Sequence, residues 1–247
     1  YSAFRRNYLA VYLLVNASDW LCGPYLYSVY KEHGMDLATI STLSVVGFLS
    51  SAVLGSYLGS LSDRWGRRKL CLLYPVAFAL NSLLIQVPNF YLLLLGRVFG
   101  GIATSLLFSV FEAWMTSEYF ASGFPGGDAL GSLFSTAVTL NSVVAIAAGL
   151  IANYAVDVTA TTRAPFLIAL IPAFAGSAIV ALTWSENYGE SSASTTSSSG
   201  PPNGGLIAAI RQEPAIALVG AVQACFEGAM YGFVCLFGPS LDELAGT

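Results

Sequence analysis

Four ionisable side chains stand inside stretches that are otherwise apolar: Asp19, Arg97, Glu112 and Glu227. A charge is expensive in hydrocarbon, so such groups face a bundle interior or a water-filled path and mark substrate or ion routes. Asp19 lies roughly 16 Å into its segment at the rise of an α-helix, and Glu227 lies at a similar depth in the last apolar segment. The two acids fit a proton-titrating or substrate-orienting pair; carboxylates hydrogen-bonded only for structure are the plainer alternative. Arg97 keeps its charge and offers a fork of donors that suits a tetrahedral oxyanion or a carboxylate. Its alternative is a permanent internal salt bridge, with Asp19 as a partner. Glu112 comes roughly 22 Å further along the same helix, among Phe111, Trp114 and Met115. Glu118, at that helix's end, is expected to pair with an arginine of a basic loop and latch one face shut.

These groups need helices in lipid to hold them. The chain has 247 residues, 55% hydrophobic and only 10% charged. Soluble domains carry about a quarter charged residues, so this composition implies an integral membrane protein. The net charge of −4 argues against a nucleic-acid partner and otherwise must be read loop by loop. Cys22, Cys71, Cys225 and Cys235 lie in or beside apolar segments without a C-x-x-C pair, and His33 is the one histidine. No metal site, cofactor or catalytic triad is expected from them, and no enzyme. The first apolar stretch is long enough to span and lacks a small-residue cleavage site after it, so no cleavable signal is expected. The start, at Tyr1, looks truncated.

A spanning helix takes about 20 apolar residues. Segments near 8–30, 37–61, 70–87, 90–115, 129–155, 164–184 and 214–238 qualify. With the N-terminus inside, the inner loops hold Arg5, Arg6, Arg64, Arg67, Arg68, Lys69 and Arg211, and the outer loops hold only Lys31 and Arg163. Gly47, Ser51, Gly55 and Gly59 recur every fourth position and form a stripe against which another helix can pack closely. Asn16, Asn81 and Asn141 are expected to hydrogen-bond between helices. From Ser185 to Gly205 the composition turns to Ser, Thr, Gly and Pro, which predicts a mobile inner linker. The expected organisation is a six-helix part over 1–184, a linker over 185–213 and a further helix over 214–247.

The loop from Gly59 to Lys69, G-S-L-S-D-R-W-G-R-R-K, holds four of the ten Lys and Arg residues between two apolar segments. Gly66 allows the tight turn, Asp63 can cap the next helix or pair with an arginine, and Arg64, Arg67 and Arg68 can sit among lipid headgroups. The pattern of Gly59, Asp63, Arg64, Gly66, Arg67 and Arg68 resembles the signature loop between helices two and three of the major facilitator superfamily. Arg97-Val98-Phe99-Gly100-Gly101 resembles that superfamily's fourth-helix motif. Further strings resemble one branch, the eukaryotic molybdate-anion transporters. They are Asp19-Trp20 to Tyr27, Leu107 to Trp114 with its F-E-A-W, Trp184 to Tyr188, Gln223 to Glu227, and Gly238 to Asp242.

The resemblance implies an all-α major facilitator fold: the N-terminal six-helix half plus the first helix of the second, truncated before helices eight to twelve. It implies uptake of a small oxyanion, molybdate, by alternating access through a multi-pass protein of the plasma membrane with its N-terminus cytoplasmic. Asp19, Arg97, Glu112 and Glu227 would bind or couple, and the signature loop with Glu118 would gate. Three buried acids beside one arginine would repel an oxyanion unless protons neutralise them, so proton coupling is expected. The lipid bilayer, the oxyanion and protons are the expected partners. A facilitator for a sugar or drug and a non-transporting receptor on the same fold are the rival readings.

Overall fold

The computed structural model describes residues 1–124, 126–189, 211 and 213–245. All regular structure among the described residues is helical. The chain divides into two compact units, Tyr1–Glu190 and Ser191–Thr247, and each is described by itself.

The first unit begins with α1 (Ser2–Cys22), a 3-10 turn at Gly23–Tyr25, and α2 (Leu26–Glu32). Pro24 removes a backbone donor at that turn, which breaks the first expected span about one turn beyond Asp19. Next come α3 (Leu37–Trp65) and α4 (Arg67–Leu84), joined by the single residue Gly66. The Asp36 side chain caps α3 by accepting from the Thr39 N–H at 3.2 Å, and Asn89 caps α5 (Phe90–Ser105) by accepting from Tyr91 and Leu92. A π-helical segment, Leu106–Val110, follows α5 and leads into α6 (Phe111–Ala121). The unit closes with α7 (Gly127–Thr159), α8 (Ala164–Ile168) and α9 (Leu170–Thr183). In the second unit, α10 (Pro214–Ala245) is a single long helix.

Helices therefore stand at all seven expected positions, with ends that differ from the expected bounds by a few residues in either direction and the first span broken at Gly23–Tyr25. Among the described residues, Leu37–Gly55, Phe90–Ala121, Gly127–Thr159 and Ala164–Thr183 are long and apolar enough to cross a membrane. The segments α1 and α4 fall short of that apolarity because they include Arg5, Arg6 and Asp19, and Arg67 to Lys69. Bulky side chains such as Val53, Ile146, Leu150 and Ile171 point outward. Exposed apolar faces on helices whose backbone bonds are internally satisfied are what a bilayer requires.

Within the first unit the principal neighbours run α3, α5, α4, α9, α1, α7. The closest approach uses the small-residue stripe. A Cβ added at Gly101 of α5 would lie 2.7 Å from the Gly47 carbonyl oxygen and 2.8 Å from the Ser51 nitrogen of α3. One at Gly55 would lie 3.0 Å from Ser105 Oγ, whereas one at Gly59 meets nothing within 4 Å. The Ser105 hydroxyl donates to the Ser51 carbonyl at 2.9 Å. Three of the four stripe positions thus face the α5 span, and Gly59 does not.

The asparagines divide. Asn141 Oδ1 accepts from Trp20 Nε1 at 3.1 Å, joining α7 to α1. Asn16 instead donates to the Tyr12 carbonyl of its own helix at 2.8 Å. The expected linker also starts later than its composition suggests. Ser185–Gly189 pack against the first unit through the bonds described below, while residues 190–210 lie outside the described residues. Replacing Gly101 by Ala should force α3 and α5 apart and cost about 1–3 kcal/mol as overpacking, read as a lowered melting temperature in detergent.

Candidate functional site

The Gly59–Lys69 loop owes its shape to one backbone. Gly66 has φ 106°, a region open to glycine, and its N–H still bonds the Ser62 carbonyl. Asp63 takes the second of its two expected roles: it pairs with Arg67 at 2.7 Å, one helical turn on. Arg64 is exposed at the end of α3.

The chain after α9 folds back as a strap over this loop. Glu186 Oε1 accepts from the Arg68 N–H at 2.9 Å, and the Asn187 carbonyl accepts from the Arg67 N–H at 2.9 Å. Gly189 N–H donates to the Asp63 carbonyl at 3.0 Å. Arg68 Nη2 donates to the Ala181 carbonyl at 2.6 Å, neutralising the C-terminal end of α9. Trp184 stacks on Trp114 of α6 with ring centroids 3.7 Å apart, and Trp114 Nε1 donates to the Ser185 carbonyl at 2.8 Å. The expected Glu118–arginine pair is not formed. Glu118 Oε2 instead accepts from Asn187 Nδ2 at 3.4 Å.

Arg97 sits within the bundle, about two turns into α5. Its guanidinium lies over Gly47 of α3, where a Cβ would overlap Nε and Cζ at 2.8 and 2.9 Å. On its own helix a Cβ at Gly100 would come 3.3 Å from Nη1 and 3.0 Å from Asn81 Oδ1. Two glycines therefore leave the space through which the side chain passes. The Tyr30 hydroxyl is a hydrogen-bonding neighbour of the guanidinium, and Asp19 lies within its field. Arg97 Nε is buried with no hydrogen-bond partner. Ion pairs join Arg67 to Asp63 and Arg163 to Glu32, whereas among the described residues Arg97 and Asp19 are neighbours within each other's field and not a closed salt bridge.

Glu112 lines an open cleft of about 750 Å³ with Arg67, Ser109, Thr116, Phe134 and Tyr188. Arg97 and Glu112 thus belong to different places on one span, separated by the π segment. Glu227 lies on α10, where its Oε1 accepts from Gln223 Nε2 at 2.8 Å one turn earlier.

Sequence reasoning missed a ligament at the end of the bundle opposite the basic loop. Glu32 accepts from the Thr162 hydroxyl at 2.5 Å and its N–H at 3.0 Å, from the Thr161 hydroxyl at 3.1 Å, and from Arg163 Nε at 3.0 Å. A T-T-R run after α7 facing a glutamate more than a hundred residues earlier leaves no local periodicity to find.

The chain matches, over residues 1–247, the family described as sugar transporters with 12 TM. The chain belongs to this family of the major facilitator superfamily. Among curated proteins it is similar to the molybdate-anion transporter of Xenopus tropicalis, 34% identical over 240 residues, 97% of this chain and 52% of the relative. The molybdate-anion transporter of Danio rerio is 33% identical over 264 residues, 98% of this chain and 54% of that protein. That of Takifugu rubripes is 32% identical over 265 residues, 97% of this chain and 55% of that protein. The chain spans about half the length of the curated relatives it matches.

Two outcomes follow from this geometry. Gly66→Ala adds a Cβ both at positive φ and against the Glu186 carboxylate, and should cost about 1–3 kcal/mol, seen as faster proteolysis at the loop. The hydrogen bonds from Thr162, with the others at the ligament, hold the Glu32 carboxyl below the ordinary glutamate range. A depressed folded-state value contributes stability above the unfolded glutamate pKa and loses it as pH falls through the folded value. The melting temperature of Glu32→Gln relative to the parent should therefore differ at neutral pH and converge below about pH 4.

Proposed function

We propose that this chain supplies the six-helix N-terminal half, and the first helix of the second half, of a secondary transporter. Its cargo is a small oxyanion, molybdate, moved by alternating access and coupled to protons. In this reading the basic-loop end faces the cytoplasm, the protein lies in the plasma membrane, and headgroups of the bilayer meet Arg64 and Lys69. Arg97 attracts the anion, Asp19, Glu112 and Glu227 couple and gate, and the strapped signature loop holds the inner end.

The observation that carries the reading is the buried, unpartnered Nε of Arg97. A buried donor without a partner costs free energy, and a tetrahedral oxyanion offers acceptors in the geometry that a guanidinium fork bonds best. The names of the curated relatives give the anion. Asp19 beside Arg97 would oppose an anion if ionised, and a proton on it removes that repulsion. Proton and anion would then enter together.

One observation favours a second reading. The matched family is described as sugar transporters, and Asn81, Tyr30 and Asp19 around Arg97 are also groups that bond hydroxyls. Uptake of labelled molybdate by cells expressing the complete open reading frame separates the two. The expected result is saturable uptake, suppressed by tungstate, and reduced about 10–100-fold by Arg97→Ala for a lost hydrogen bond to charge. Uptake of hexoses with no competition from tungstate would support the sugar reading and sink this one.

A further inference from the structure

The π segment at Leu106–Val110 lies between the two ionisable positions of its span. Ahead of it, Gly101 and Ser105 both face α3: Gly101 against Gly47 and Ser51, and Ser105 through its hydroxyl to Ser51. In an uninterrupted α-helix, residues at i, i+4, i+7 and i+11 share a face. Counting from Gly101, that face would continue through Ser105 and Phe108 to Glu112 and would turn the carboxylate toward α3. A π turn carries one extra residue and rotates everything after it by roughly a quarter turn or slightly more. The observed placement agrees: Phe108 is 55% exposed, and Glu112 lines the cleft instead.

The wide turn is chemically supported. Widening the helix takes the Ser105 carbonyl away from its usual i+4 amide partner, and the Ser109 hydroxyl donates to it at 2.5 Å. The surroundings of Glu112 are polar on one side only. Arg67 of α4 and Tyr188 of the strap share the cleft with it, while α7 contributes Phe134 there. Tyr8 and Tyr12 of α1 lie within the field of its carboxylate. The Tyr8 hydroxyl is buried without a partner. Arg67 gives Nη2 to Asp63 while its Nε is buried without a hydrogen-bond partner, and it is the cation that lines the cleft with Glu112.

We propose that the π turn, held by Ser109 on the Ser105 carbonyl, aims Glu112 into the cleft at the basic end, where its carboxyl exchanges a proton with water and gives transport its pH dependence. This rests on the transport reading above and deepens it, since it separates the proton-exchanging acid from the anion-holding Arg97. Asp19 then holds the proton that admits the anion, and Glu112 is the group through which that proton exchanges with the water of the basic end. Narrowing the turn to an α-helix would swing Glu112 toward α3 and withdraw it from that water.

The test uses the complete protein in two measurements. In the first, molybdate uptake into proteoliposomes is followed with the solution at the basic-loop end held between about pH 5.5 and pH 7.5, where one exchanging proton changes the rate by up to about tenfold per unit. Glu112→Gln should flatten the profile, and deletion of Phe108, which removes the extra residue, should flatten it with the carboxylate still present. Ser109→Ala should give an intermediate slope and serves as the milder variant if the deletion reduces surface expression. In the second, Glu112→Cys in a background lacking the native cysteines is labelled with a charged maleimide applied from the basic end. Labelling should be fast, and lost on deleting Phe108. A pH profile that survives in Glu112→Gln, or one that is flat in the parent, overturns the proposal, as does labelling indifferent to the deletion. A parent that takes up no molybdate removes the oxyanion reading instead, and the labelling then decides the orientation of Glu112 by itself.

Discussion

A permanently charged guanidinium inside a helix bundle must be given both room and an electrostatic reason to stay, and at Arg97 this structure supplies the two separately. Room comes from missing side chains: Gly47 on α3 and Gly100 on α5 leave the path that Nε, Cζ and Nη1 occupy. The electrostatic reason is incomplete, because Asp19 is near without closing a salt bridge and Nε has no partner. A fully paired arginine would be a structural post. One that is held open in a low-dielectric interior keeps its attraction for whatever anion arrives, since charge–charge interactions there are much stronger than in water.

The close approach of α3 to α5 is the price of that arrangement, and the rest of the unit holds it. At the basic end, the strap ties the loop between α3 and α4 to α6 and α9, with the Trp114–Trp184 stack as its apolar seat. At the other end, the Glu32 ligament ties α2 to the α7–α8 connection, and His33 Nε2 bonds the Ile85 carbonyl beyond α4 at 2.8 Å. Both ligaments join elements far apart in sequence, so neither end can open without breaking several bonds together. Helical geometry is interrupted within the unit at Gly23–Tyr25 and at Leu106–Val110.

What could be read from the sequence was whatever depends on local pattern. The helices, the Gly66 turn, the Asp63–Arg67 option and the small-residue stripe all follow from spacing of four or from one residue's backbone freedom. The individual ionisable positions stood out because charge is rare in an apolar background. Their partners were not legible, since partnership is settled by helices that meet only after folding: Glu118 met Asn187 and not an arginine, and Glu32 met Thr161, Thr162 and Arg163. The linker boundary failed for a related reason. Ser185–Gly189 look polar and loose by composition, yet the Asn187 carbonyl and Gly189 N–H bond the loop between α3 and α4, and the Ser185 carbonyl accepts from Trp114 of α6. The π turn left no signal in apolar periodicity, because Leu106, Leu107 and Val110 within it and Phe111 just after it are all buried.

The central claim, an open guanidinium kept for an anion, is met most directly by equilibrium binding of labelled molybdate to the purified complete protein. Gly47→Ala is the decisive variant, since it removes no polar group and only fills the space that Nε and Cζ occupy. The account predicts that Gly47→Ala weakens binding nearly as much as Arg97→Gln, with the protein still folded. Undiminished binding in both variants would contradict it and place the anion elsewhere.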